Sequence, residues 1–302
     1  MDGILNIRKE KGFTSHDVVV VLRGILHTKK IGHTGTLDPM AEGVLPVCVG
    51  AATKLCETFT DHDKEYTAVM RLGEVYDTLD ITGVMLERRE VMLTKEEVAS
   101  AINSFIGGYN QVPPMYSAKK IDGKKLYELA RAGKTVERKP VFVDIYDIEI
   151  LELDIPKVTI RVHCGKGTYI RSLISDIGDK LSCGACMESL TRTRVGEFDI
   201  KNSYSLDEIK KVMEEDKISD VILSIEEVFG SLEEVNLNTD LSKAALNGNA
   251  LKGRDMKKIG IDTKDMLTDG QRVRIYADGR KFVAIYEYRK ADDILKVYKM
   301  FL

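Results

Sequence analysis

One aspartate stands in a setting suited to chemistry. Residues 31–50 read Ile-Gly-His-Thr-Gly-Thr-Leu-Asp-Pro-Met-Ala-Glu-Gly-Val-Leu-Pro-Val-Cys-Val-Gly. Gly32, Gly35 and Gly43 free the backbone, whereas Pro39 and Pro46 fix it. Asp38 is pushed out of the helical region by the proline that follows it. The run Val44–Val49 beyond is apolar and strand-like. A stiff, glycine-rich loop thus presents one carboxylate beside a buried strand, with His33 and Glu42 as further polar groups. A carboxylate so held can act as a nucleophile, a general base, or a stabiliser of a developing cation. The plain structural alternative is an Asp-Pro surface turn.

Three other stretches carry chemistry-bearing side chains. Lys64-Glu-Tyr-Thr-Ala-Val-Met-Arg-Leu-Gly73 alternates like a two-faced strand, and Tyr66 is either a core aromatic or a site residue. Gln111-Val-Pro-Pro-Met-Tyr-Ser-Ala-Lys-Lys120 leads into a basic segment. Cys164-Gly-Lys-Gly-Thr-Tyr-Ile-Arg-Ser-Leu173 brings Tyr169 and Arg171 to the start of a helix expected over 168–181. Lys166 between glycines lacks the spacing of a nucleotide phosphate loop. Cys183-Gly-Ala-Cys186 has metal-ligand spacing but stands alone, with no second pair to complete four ligands, so it reads as structural. Asp77 and Asp80 lie in a turn with no glutamate or histidine nearby to make a ligand set.

The string Gly-His-Thr-Gly-Thr-Leu-Asp-Pro-Met-Ala-Glu-Gly-Val-Leu-Pro resembles the catalytic motif of the TruB family of tRNA pseudouridine synthases. Lys64-x-Tyr66 with Leu72-Gly73, the Tyr76–Gly83 loop, the Pro113–Lys120 string, Gly167–Leu173 and Leu190–Gly196 are similar to its further motifs. Lys11-Gly-Phe-Thr-Ser15 is similar to its opening. The resemblance covers about residues 1–200 and is loose beyond. It implies Asp38 as the catalytic carboxylate, Tyr66 against the target base, and Arg171 paired with Asp38. Tyr169 would pack under the uracil and Leu190 would line its pocket. His33 would fill the place of a flipped uridine, with a general-base role as the competing assignment. Lys11, Lys64 and Lys119 are the further substrate-binding residues expected on these strings.

The elements that must position these groups follow from pattern. Gly3–Ile7 reads as a strand. Ser15 is expected to cap a helix over Val18–Leu26, and Ala51–Phe59 to form a short helix. Thr94 with Glu97 opens a helix to Phe105 that Gly107 and Gly108 end. Val141–Leu153 and Lys157–Cys164 look like a hairpin of the central sheet. Arg192 and Arg194 are expected on one face of the next strand. Ser205 with Glu208 caps a later helix. Gln271–Tyr276, Lys281–Glu287 and Leu295–Phe301 read as strands, the first two joined by a two-residue Asp278-Gly279 turn.

Composition bounds the partners. The 302 residues are 43% hydrophobic and 31% charged, with net charge −3. That is ordinary for a globular chain. Yet 117–140 holds eight basic against three acidic residues, and 251–302 thirteen against eight, each a local +5; 201–240 is net −7. Such segregation suits phosphate tracking by an otherwise acidic protein. No apolar run reaches the ~20 residues of a membrane span. The first residues lack the pattern of a signal peptide. Five cysteines fit reduced thiols in a cytoplasm.

The expected fold is an α/β enzyme of α+β type: a pseudouridine-synthase-like central mixed, largely antiparallel sheet flanked by helices, residues 1–235. A small β-rich module similar to the PUA type is expected over 240–302. The resemblance implies isomerisation of the T-loop uridine of tRNA (U55) to pseudouridine by base flipping, with no metal or organic cofactor. The partner is tRNA; a monomer needing no protein partner, in the cytoplasm, is expected. Two rivals stand beside this reading. One is the catalytic subunit of a guide-RNA-dependent pseudouridine synthase; the other is a non-catalytic tRNA-binding or folding protein.

Overall fold

The computed structural model describes residues 1–121 and 123–302; Asp122, one of the acidic residues of the basic segment, lies outside the described residues. The central sheet runs Ile145–Asp154, Lys157–Cys164, Lys64–Leu72, Ala185–Val195, Glu42–Val49, Gly3–Lys9 and Leu223–Ser224 in spatial order. Neighbours along this order are antiparallel except Ala185–Val195 beside Glu42–Val49, which are parallel. The sheet is mixed and largely antiparallel, as the sequence led one to expect.

Alternation decides which face is covered. In Lys64–Leu72, Lys64, Tyr66, Ala68, Met70 and Leu72 are buried and the residues between them half-exposed. The buried face packs under helices Lys95–Asn103 and Ile170–Lys180 through Val98, Ile102, Leu173, Ile174 and Ile177. On the other half of the sheet, helix Ser15–Ile25 packs Val18, Val19 and Leu22 on Leu5, Ile7 and Leu45. Each such side chain contributes roughly 1.5–3 kcal/mol by leaving water.

Four local expectations are corrected. Thr14, not Ser15, caps the first helix: its hydroxyl accepts from Asp17 N–H, and the Asp17 carboxylate accepts from Thr14 N–H. Ser15 is thereby left for another task. The run 141–153 divides at Asp144, whose carbonyl accepts from Gly165 N–H at 2.9 Å. Val141–Val143 pairs instead with Tyr109–Gln111. Arg192 lies opposite Tyr66, but Arg194 lies opposite Glu65, because a bulge at Thr193 shifts the register. The two arginines therefore lie on opposite faces. Finally, Ala277 pairs with Lys281, so three residues make the turn, with Gly279 and Arg280 at φ of +76° and +59°.

The last part of the chain forms a second sheet of five strands, Glu233–Asn236, Arg272–Ala277, Lys281–Arg289, Ile294–Met300 and Leu251–Lys252 in spatial order. It has its own core of Val273, Ile275, Tyr286, Tyr288 and Leu295. Lys54 Nζ donates to Met300 O at 2.8 Å, and Tyr276 OH to Glu226 Oε1 at 2.7 Å, across to the first part. No helix among the described residues is long and apolar enough to cross a membrane.

Candidate active site

The loop 34–41 is pinned along its length. Thr34 N–H donates to Pro46 O at 3.1 Å and Leu37 N–H to Ser15 Oγ at 2.9 Å. Gly12 N–H reaches Pro39 O at 2.9 Å, and Lys9 Nζ reaches the same carbonyl at 3.2 Å. Leu37 and Ala41, on either side of Asp38, are buried in one cluster with Tyr66 and Leu190. The loop then enters Glu42–Val49 at the parallel pairing, where Gly43 lies opposite Arg192. Gly43 has φ of +107°, and a Cβ there would meet Arg192 O at 2.2 Å, so only glycine fits.

Asp38 is held by one guanidinium. Arg171 Nε lies 2.8 Å from Asp38 Oδ2, and Arg171 Nη2 lies 3.0 Å from Asp38 Oδ1. Arg171 also donates to Thr78 O at 2.9 Å and Tyr116 O at 2.8 Å. Asp80 Oδ2 stands 3.7 Å from Nη1. Arg171, in the first turn of helix Ile170–Lys180, is 5% exposed, whereas the Asp38 side chain keeps 36% of its surface open. The guanidinium is thus buried while the carboxylate it holds stays partly open to solvent.

Burial raises the Asp38 pKa above the usual carboxylate range; Arg171 opposes this and Asp80 adds to it. The pairing has the expected sign, but it does not win. Arg171 lowers the value by charge and by hydrogen bond, and desolvation outweighs it.

The other expected residues divide. Tyr66 is 9% exposed, and burial raises its pKa against the opposing charge of Arg192. Burial likewise raises Tyr169, which is half-buried; the charge of Asp38 acts on both phenols. Leu190, opposite Ala68, is buried on the Tyr66 face. His33 sits at the other root of the loop. Its pKa is lowered by burial, then by Arg192 and His16, and its Nδ1 accepts from Gly35 N–H at 3.3 Å. Lys64 is buried, donates to Thr60 O at 2.7 Å and to His62 O, and is lowered by burial to about 8. Its amine braces backbone carbonyls. Lys119 is half-exposed at the start of the basic segment.

Lys11 is exposed, and the buried lysine of the opening is Lys9 instead. Lys9 is 0% exposed, donates to Glu10 O, Phe13 O and Pro39 O, and is pulled down to about 8 by burial. Arg192 is 2% exposed; it donates to Val44 O at 2.7 Å and Gly35 O at 3.3 Å, tying the loop to the strand beyond it. Ser15, Lys9 and Gln111 escaped the sequence reading as site residues. Ser15 and Gln111 lie within strings already singled out and Lys9 just before one, but the role of each is a main-chain contact, which side-chain pattern does not announce. A cavity of about 390 Å³ lies apart from Asp38, among Ile4, Asn6, Phe59, Phe198 and Phe229. Among the described residues no group of three or more His, Cys, Asp and Glu side chains is placed to hold a metal ion.

The chain is similar to known proteins in sequence and in fold. Residues 23–170 match the model of the TruB family pseudouridylate synthase N-terminal domain, and residues 171–230 that of the tRNA pseudouridylate synthase B C-terminal domain. A tRNA pseudouridine synthase B of Lachnoclostridium phytofermentans is 47% identical, covering 100% of both chains. One of Clostridium novyi is 44% identical over 94% of this chain and 95% of its own. A solved Cbf5-Nop10-Gar1 complex contains a chain that matches with TM-score 0.72 and 26% identity, over 99% of this chain and 85% of that one. A chain of an H/ACA RNP bound to a substrate RNA containing 2′-deoxyuridine matches with TM-score 0.70 and 25% identity, over the same shares.

Proposed function

The chain belongs to the TruB family of pseudouridylate synthases, and we propose from that premise that it isomerises the T-loop uridine U55 of tRNA to pseudouridine. It is an isomerase acting on tRNA, and Asp38 is its reacting carboxylate. The supporting observation is the Asp38–Arg171 pair: both carboxylate oxygens are oriented by a buried guanidinium, while the carboxylate face stays accessible.

The reaction breaks the N1–C1′ bond, turns the uracil and rejoins it through C5, whose proton then leaves. Atoms and electrons balance within the substrate and water, so no oxidant or reductant enters. The target base must leave the RNA stack to reach Asp38. Tyr66 and Tyr169 flank the extruded ring and Leu190 closes the pocket behind it. His33, neutral at physiological pH, stacks where the base had been. Arg171 keeps Asp38 in one orientation through substrate entry. Asp38 must be ionised to act on C1′ or C6, or to stabilise an oxocarbenium ion on a glycal route. Its raised pKa makes the carboxylate more basic than a solvated one, which strengthens it as a nucleophile or base.

The exposed lysines of the basic segment serve the tRNA backbone, and the purified chain works alone as a cytoplasmic monomer. The test is tritium release from C5-labelled uridine in a tRNA transcript, with this chain as sole protein. Release appearing only with a guide RNA and protein partners would favour the second reading, that of a guide-dependent subunit. That reading rests on the matched chains of the H/ACA and Cbf5 assemblies. Binding without release from any RNA would leave a non-catalytic tRNA binder.

A further inference from the structure

We infer that Gln111, Tyr109 and Asp176 form a hydrogen-bond relay that positions the peptide of Tyr169, and through it Arg171 and Asp38. The inference rests on the reading of Asp38 and Arg171 as the reacting pair.

The geometry is closed and directional. Gln111 is 1% exposed. Its Oε1 accepts from Tyr169 N–H at 2.8 Å, and its Nε2 donates to Tyr169 O at 3.1 Å. One side chain thus satisfies both backbone groups of the residue that caps helix Ile170–Lys180. Nε2 also donates to Tyr109 OH at 2.7 Å, and that hydroxyl donates to Asp176 Oδ2 at 2.6 Å.

Each proton has one place. Asp176 as a carboxylate only accepts, so the Tyr109 hydroxyl must donate to it. The hydroxyl oxygen is then left to accept from Gln111 Nε2. That fixes which end of the Gln111 amide is oxygen, and so which end faces Tyr169 N–H. A flipped amide would set two donors against each other at Tyr169 and two acceptors against each other at its carbonyl.

The relay belongs to a longer seam on one helix face. Tyr169, Ser172, Asp176 and Lys180 follow one another at three- and four-residue steps, which places them in one line. Ser172 Oγ donates to Val112 O at 3.1 Å, and Lys180 Nζ to Ser104 Oγ at 2.6 Å. Segment 104–112 is therefore laid along the helix rung by rung. Only the Gln111 rung reaches the helix start, two residues before Arg171. Losing it releases the one side-chain grip on the Tyr169 main chain among the described residues, so the Tyr169 ring and the Arg171 fork lose their common reference.

The test uses the full chain with three variants. Gln111→Glu keeps the shape and one acceptor but removes both donors. Tyr109→Phe removes one oxygen and keeps the ring against Phe105. The third is their double variant. The readouts are the single-turnover rate at saturating tRNA, the tRNA dissociation constant and the urea midpoint.

Each single variant should slow the chemical step by about 10–100-fold, as sub-ångström misplacement does. Affinity for tRNA should stay within about threefold. The double variant should be little slower than Gln111→Glu, because one broken link disables the relay. The relay is overturned if either single variant stays within about twofold of the wild-type rate, whatever happens to its stability. It is equally overturned if the losses multiply in the double variant, or if only affinity falls. Asp38→Asn is assayed alongside: activity in that variant would remove Asp38 as the reacting carboxylate, the reading on which the relay rests, whereas an inactive Asp38→Asn beside unimpaired relay variants would sink the relay alone.

Discussion

Arg171 grips both carboxylate oxygens of Asp38 and turns its remaining N–H groups on the carbonyls of Thr78 and Tyr116. Four segments distant in sequence thus meet at one planar group. Arginine offers five donors in a fixed fork, and four of them are used here at 3.0 Å or less. Replacing Asp38 by Asn keeps the volume but removes the charge and one accepting oxygen. Turnover should fall by at least ~10³-fold, the scale seen when a reacting group is removed. Binding of tRNA should stay within about tenfold, or about 1.4 kcal/mol. Tritium release and filter binding on the same preparation check this. Activity above a few per cent of wild type would remove Asp38 from its role.

The two charges beside Asp38 act on it with opposite signs, and this sets a pH test. Asp38 must be ionised, so the rate falls as pH drops through its pKa. Arg171 lowers that pKa and Asp80 raises it. Arg171→Lys loses the two-pronged contact, so the acidic limb should move to higher pH. Asp80→Asn removes a neighbouring negative charge, so the limb should move to lower pH. Single-turnover rates at saturating tRNA across the acidic range report both. Shifts in the same direction for the two variants would mean that the limb does not belong to Asp38.

The catalytic loop depends on a close backbone approach at the parallel seam. Gly43→Ala puts a methyl 2.2 Å from Arg192 O at a φ of +107°. The cost should be about 2–3 kcal/mol or more, combining backbone strain with displaced packing. Gly133 has φ of +69° but open space around it, so Gly133→Ala should cost only about 1 kcal/mol. Urea denaturation of the two variants separates strain from clash. Equal losses would mean that the seam can open without consequence.

Much of this site could be read from residue types and spacing, because strands and loops with strict requirements leave strict sequences. Gly43 must be glycine, Asp38 must precede a proline that shapes its loop, and alternation in Lys64–Leu72 announces which side of Tyr66 is buried. The pairing of Asp38 with Arg171 was legible only through family resemblance, since 133 residues separate them. What stayed hidden has a common physical cause. Lys9, Ser15 and Gln111 act on carbonyls and amides of other segments, and a backbone group carries no residue-specific mark in the sequence. The bulge at Thr193 was hidden too. One extra residue in a strand reverses every face beyond it without altering composition, so Arg192 and Arg194 looked equivalent. The balance that sets the pKa of Asp38 was hidden as well, because sequence shows neighbours but not how far burial desolvates a carboxyl.

The last test concerns how the tRNA is held. Lys120, Lys124 and Lys134 are exposed on the segment between Ser117 and Pro140. Tyr127 there is already flanked by Lys125 and Arg131, 5.4 and 5.5 Å from its ring centre. With those two engaged at the short helix Leu126–Arg131, the three lysines, like Lys139 beyond them, are exposed groups placed to meet phosphates. Each phosphate neutralised adds roughly 0.7–0.9 to the slope of log affinity against log salt. Changing all three lysines to Gln should therefore flatten that slope by about 2 and weaken binding to every RNA alike. The chemical step at saturating tRNA should change far less, because none of the three lysines is hydrogen-bonded to Asp38 or Arg171, whose contact nearest this segment is the Tyr116 carbonyl just before it. Salt titrations of wild type and triple variant, with single-turnover rates beside them, distinguish the cases. An unchanged slope would place the phosphate grip elsewhere, with the second five-stranded sheet and its exposed Arg280, Lys281 and Lys290 the next surface to neutralise.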